Sequence, residues 1–233
     1  MATNEQIAFS SRKISLTAGV LYLVTFISIP TIALYGPIHK PNYIIGLGPD
    51  TPIIIGGILE IIVALAGIGT SVALFPLLKK QNESLAIGLV AARILESSTI
   101  FVGVAFILSI VSLRQAGAGA NALIISHELA TLYDRIFLLG QSFMPAVCDL
   151  LLGFLLYKSR LMPRALALIG IVGAPILVAG YIAVLFGLIG RLAPLAALSA
   201  APVALFEFSL GIWLLAKGFN STAISSLLAK TGE

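Results

Sequence analysis

Glu60, Arg93, Glu96, Asp149 and Glu207 are the residues of this chain whose types and positions could do chemistry, because each stands well inside a long apolar run. A charge at the centre of a bilayer costs at least ~2.5–3.5 kcal/mol on insertion scales, so such residues must face other helices or a wet cavity. Arg93 and Glu96 are three apart, which stacks them on one helix face. At ~1.5 Å per residue, Glu60 lies roughly 12 Å from one end of its run, and Asp149 and Glu207 roughly 12–13 Å from the opposite end of theirs. Arg93, Asp149 and Glu207 are therefore expected at one level, with Glu96 and Glu60 above them. Four carboxyls against one guanidinium leave an excess of acid. Burial and like charge both favour the neutral carboxyl, so part of this set is expected to hold protons and to suit proton donation or coupling. The plainer reading is a buried structural network.

Gln141, Pro145 and Asp149 follow at steps of four, which puts them on one face of a helix. Pro175 and Pro202 also interrupt apolar runs. An interior proline frees a carbonyl one turn earlier, and in lipid that carbonyl needs a partner. With hydroxyls at Tyr22, Ser97, Ser98, Thr99 and Ser142, the pattern suggests a polar pocket enclosed by the second, third, fourth and sixth apolar runs.

These residues need elements to hold them. The 233 residues are 59% hydrophobic and 10% charged, with a mean hydropathy of +1.08, which excludes a soluble globular domain, a disordered chain and a nucleic-acid-binding module. A helix needs roughly 20 apolar residues to cross a bilayer. Six such runs are read: Ser15 to Tyr35, Pro52 to Leu78, Leu85 to Leu113, Leu132 to Tyr157, Pro163 to Ile189 and Leu192 to Ala216. The first run is longer than the ~7–15 residues of a signal-peptide core, so it reads as a retained span. The fold class is all-α, a polytopic membrane protein of six transmembrane helices, and residues 1–233 read as one domain. Arg12, Lys13, Lys79, Lys80, Lys158, Arg160, Arg164, Lys217 and Lys230 fall on one side, against Lys40, Arg114, Arg135 and Arg191 on the other. That asymmetry predicts both termini in the cytoplasm.

Other chemistries find less support. The single cysteine, Cys148, excludes an internal disulfide, and the two histidines, His39 and His127, fall outside or at the edge of spans. An outer metal site of His39, His127, Glu128 and Asp134 is weaker than solvated loop residues, so no metal and no cofactor are expected. The stretch Asn121 to Arg135 has the spacing of a helix lying in the interface before the chain enters the bilayer. The loop Lys158 to Arg164 has the charge to meet anionic lipid headgroups, or simply to set topology. Gly67/Ser71, Gly69/Ala73, Gly88/Ala92 and Gly170/Ala174 read as packing seams.

Gly19-Val-Leu-Tyr-Leu, Leu156-Tyr-Lys-Ser-Arg-Leu-Met-Pro-Arg, and Glu207 followed by Gly211-Ile-Trp-Leu-Leu-Ala-Lys-Gly-Phe resemble the domain of unknown function 4386 family, over about Arg12 to Phe219. The resemblance implies a small bacterial multi-spanning membrane protein and carries no activity or residue roles with it.

The leading expectation is binding or translocation of a small or amphiphilic molecule, proton-coupled, with Glu60, Arg93, Glu96, Gln141, Asp149 and Glu207 as the candidate set. The alternatives are a membrane enzyme using a buried carboxyl as general acid, or a structural or regulatory subunit without a site. The partners expected are the lipid bilayer and a small-molecule or lipid ligand. The sequence names no substrate and no oligomeric state.

Overall fold

A computed structural model describes residues 4–40, 42–46 and 48–230, and the regular structure among them is all helical. The elements are α1 (Asn4–Val24), a short α2 (Thr31–Leu34), α3 (Thr51–Leu78), α4 (Glu83–Gln115), α5 (Leu123–Phe137), α6 (Met144–Ser159), α7 (Arg164–Leu185), α8 (Pro194–Ala216) and α9 (Ser221–Lys230). Six segments are long and apolar enough to cross a membrane: Ser11–His39, Thr51–Leu78, Glu83–Gln115, Gly119–Ser159, Arg164–Leu185 and Pro194–Ala216. The chain is a multi-pass membrane protein. An even number of spans places both ends on one face, here the terminal face, opposite a distal face.

The spans close into a ring. α1 packs on α3, α3 on α4, α4 on α5 and α6, α6 on α7, α7 on α8, and α8 returns to α1. Short connections make successive helices antiparallel neighbours. Lipid is as apolar as leucine, so close approach at small residues has to hold the ring together. A Cβ on Gly170 would stand 2.8 Å from the Phe206 ring, and one on Gly69 would stand 2.9 Å from Leu21. Two of the four seams expected from the small-residue spacing are therefore close contacts, α7 on α8 at Gly170 and α3 on α1 at Gly69. On the terminal side of the ring Leu78, Leu152, Leu155, Phe206, Leu210 and Leu214 form a wholly buried core. A second core near the distal face gathers Tyr35, Ile53, Ile107, Ile110 and Tyr133.

The first span departs from the expected helix. α1 begins at Asn4, gives way to a 3₁₀ turn at Thr25–Ser28, and resumes only as α2 after Pro30. Pro30 lacks an N–H and its ring crowds the carbonyl one turn earlier, so the helix cannot run through to Tyr35. The loop that follows is not open either: two further 3₁₀ turns bury Ile38, Tyr43 and Ile44.

The fourth span is the larger correction. α5 does not lie in the interface. It runs into the bundle along α4, burying Ser126, Ala130 and Tyr133, and the Tyr133 ring packs where a Cβ on Gly103 would stand 3.2 Å away. A π-helical turn at Leu138–Phe143 then links α5 to α6, just ahead of Pro145. Pro145 removes one backbone donor and the wider turn absorbs the mismatch.

α6 ends at Arg160, whose φ of 56° is left-handed. Glycine usually takes this position because a Cβ there costs roughly 1–2 kcal/mol. The terminal face is tied down by Arg12, which donates to the carbonyls of Leu214 (3.2 Å) and Leu215 (2.7 Å) at the end of α8. Beyond it, α9 buries Ala223, Ile224 and Leu227 in the terminal core.

Candidate functional site

α4 is 33 residues long with no proline inside it, and it carries Arg93 and Glu96 one turn apart on its inner face. Arg93 Nη1 donates to Glu96 Oε2 at 2.9 Å, and its Nη2 donates to Glu207 of α8. Asp149 of α6 stands 3.8 Å from the same Nη2. The Tyr22 ring of α1 faces the guanidinium, 5.8 Å from its centroid. Cys148 Sγ reaches Glu96 at 3.5 Å. Four of the expected residues therefore meet at one guanidinium, brought there by three different helices.

The charges do not balance. Arg93 is 3% exposed and Asp149 0%, yet neither oxygen of Asp149 accepts a hydrogen bond and Arg93 Nε has no acceptor. A buried carboxylate is ordinarily fixed by several donors. Here the guanidinium spends its two terminal nitrogens on Glu96 and Glu207, and Asp149 sits behind them.

Glu60 forms a separate centre. Tyr133 donates to its Oε1 at 2.8 Å and Gln141 Nε2 does so at 3.3 Å, while its Oε2 has no donor. Tyr35 lies edge-on to Tyr133 with centroids 5.3 Å apart. Gln141 and Asp149, expected on one helix face, thus serve different carboxyl centres. The π-helical turn that contains Gln141 changes the helical register between them. Tyr133 and Tyr35 were not among the expected site residues. Tyr133 stands three after Ala130 and four before Phe137, a stripe that marks the inward side of α5. Of the expected hydroxyls, Ser97 crosses to the Ala64 carbonyl at 2.8 Å, while Ser98 is exposed and bonds back to Ile94 on its own helix.

A cavity of about 570 Å³ reaches this cluster. Arg93, Glu96 and Glu207 line its inner end, and exposed Ile29 and Leu192 line its mouth. All six spans contribute, with Phe26 from the first and Leu177 from the fifth, so the enclosure by four helices expected from the sequence is too small. Beyond the charges, toward the terminal face, Leu152, Leu155, Leu210 and Leu214 are wholly buried and close the bundle.

Two polar clusters hold the distal face. Asp134 takes Arg191 at 2.7 Å and His39 at 3.2 Å. Asp50, just ahead of α3, accepts from Tyr43 and from Arg114, each at 2.6 Å. Burial opposes the charge on Asp50, but the bonds from Tyr43 and Gln115 and the Arg114 charge outweigh it and hold its carboxyl below the usual range. Burial, with the bond to Asp50, pushes Tyr43 up to about 12. A depressed folded-state pKa contributes stability above the unfolded value of about 4, and that stability is lost as pH falls through the folded value. Asp50→Asn should therefore melt below wild type at neutral pH, with the gap closing below about pH 4. A gap that stays constant with pH would show that the ionised form of Asp50 contributes nothing.

Among the described residues, no group of three or more His, Cys, Asp or Glu side chains is arranged to hold a metal ion. Fold and site together define a class: a six-span helical membrane protein with a buried arginine–carboxylate cluster at the end of an intramembrane cavity. The chain belongs to the family described as domain of unknown function (DUF4386), whose model matches residues 17–218. No curated protein and no solved structure matches it. The three stretches that carry the family resemblance are neighbours in space. Gly19 packs on Gly211 and Leu215, while Arg160 to Arg164 faces Trp213 to Phe219.

Proposed function

We propose that this protein binds an amphiphilic molecule with a small cationic head in the intramembrane cavity, translocates it, and exchanges a proton at the carboxyl cluster as it does so. The observation that carries this reading is the cavity's asymmetry. Its walls are mostly apolar, and Arg191 at the far end is already paired with Asp134, while the inner end holds Glu96 and Glu207 against Arg93 alone, with Asp149 behind them. Such a surplus of acid is met by a cation or by protons, and an apolar tail fits the walls. The cavity reaches the distal surface and the terminal side is packed shut, which is one of the two states that alternating access requires. We place the protein in a bacterial plasma membrane with both termini cytoplasmic. The orientation rests on the Lys and Arg asymmetry, with Arg12, Lys79, Lys80, Arg160 and Arg164 on the terminal face, and the bacterial membrane on the family resemblance alone.

Two probes of the same shape and opposite charge test it. Purified protein in neutral detergent should bind tetraphenylphosphonium at least about tenfold more tightly than tetraphenylborate, an effect of ~1.4 kcal/mol. Glu207→Gln should remove most of that preference. Equal binding of the two ions, or an unchanged preference in Glu207→Gln, would refute a cation-selective cavity.

A further inference from the structure

On the terminal face, away from the cavity, the α6–α7 turn and the α8–α9 linker enclose a second hollow of about 590 Å³. Arg160, Arg164 and Lys217 line it, together with Trp213, Phe219 and Asn220. The two segments are joined by the Asn220 N–H, which donates to the Leu161 carbonyl at 2.9 Å. Trp213 Nε1 donates to the Gly218 carbonyl at 3.1 Å, which fixes one wall. The three basic side chains are exposed, and among the described residues no carboxylate pairs with any of them. Arg164 instead lies over the Tyr157 ring at 4.8 Å. Three cations gathered at one hollow with no counter-charge are a recipe for an anion. Arg160 adds to this, since a side chain occupies a left-handed position that glycine would fill at less cost.

We propose that this hollow is a binding site for the phosphate of an anionic phospholipid headgroup. Its place selects lipid over a soluble phosphate: it lies where three spans end, and half-buried Trp213 and Phe219 give it an apolar side on which a glycerol backbone and acyl chains can rest.

Trp213 is the only tryptophan in the chain, so its fluorescence reports on this hollow alone. The experiment places the full-length protein in phosphatidylcholine nanodiscs containing a small fraction of either phosphatidylglycerol or phosphatidylcholine brominated on the acyl chains. Brominated phosphatidylglycerol should quench Trp213 with an apparent affinity about tenfold or more above that of the choline lipid. Lys217→Gln, and separately Arg160→Gly, should each lose most of that preference. Arg160→Gly should melt no lower than wild type, because it relieves the left-handed residue. Lys158→Gln should keep the preference, since Lys158 lies over Phe154 (5.4 Å) and does not line the hollow. Equal quenching by the two lipids would overturn the proposal. So would an equal loss in Lys158→Gln, which would mean diffuse surface charge. If inorganic phosphate abolishes the preference while chloride at the same ionic strength does not, the occupant is free phosphate and the lipid assignment fails.

Discussion

Arg93→Gln should cost about 3–5 kcal/mol of stability, the largest loss expected from any single substitution here, because it leaves buried carboxylates without their cation. Glu96 and Glu207 each take a terminal nitrogen of Arg93, and Asp149 stands 3.8 Å from one of them. No other cation reaches this level among the described residues. Arg93→Lys should rescue only part of the loss, since a single ammonium nitrogen does not reproduce the two separated guanidinium nitrogens that meet Glu96 and Glu207. Combining Arg93→Gln with Glu207→Gln should recover stability over Arg93→Gln alone, because the second change removes an uncompensated acid. Thermal unfolding of the purified variants in detergent measures all three. A melting temperature for Arg93→Gln close to wild type would mean that the carboxyls do not carry charge in the folded protein, and the account of the cluster would fail.

Asp149→Asn should separate proton exchange from structure. The amide has nearly the volume of the acid, and neither oxygen of Asp149 accepts a hydrogen bond that the change would break. Stability should therefore stay within about 1 kcal/mol of wild type. Binding should change far more. If a cation enters as a proton leaves, wild-type affinity for tetraphenylphosphonium rises with pH, by up to about tenfold per pH unit for one exchanged proton. The sign follows from mass action, since higher pH removes the competing proton. In Asp149→Asn the affinity should be flat over the same range. Titrations between pH 5 and 9 check this. A variant that keeps the wild-type slope would remove Asp149 as the exchanging group, and a flat wild type would remove proton coupling altogether.

How much of the site could be read in advance depended on the kind of information each residue carried. The Arg93–Glu96 pair was legible from spacing alone, because residues three apart on a helix must be neighbours. The arrival of Asp149 and Glu207 at the same height was legible from counting residues to the span ends. Gln141 was read onto one face with Asp149, and the two part because Gln141 lies in a π-helical turn, where a constant step of four does not hold. Tyr133 was missed because its segment reads as amphipathic, and His127, Glu128, Asp134 and Arg135 around it suggested an interface rather than a helix packed lengthwise on α4. The break in the first span was signalled by Pro30, but an apolar count passes over a single proline.

The sequence by itself determined the number of spans and the shared level of Arg93, Asp149 and Glu207. Bilayer thickness and the rise of a helix leave little freedom along the membrane normal. Only the tertiary structure decided which way each helix face turns, and with it the closed ring, the separation of Glu60 from the Arg93 cluster and a cavity lined by all six spans. The physical reason lies in the solvent. Lipid and protein core are equally apolar, so most of these helices are hydrophobic nearly all round, and apart from the few charges and small-residue steps they carry no pattern that marks their inner face. Packing at Gly69, Gly170 and Gly211 sets that rotation, and it exists only once the neighbouring helix is in place.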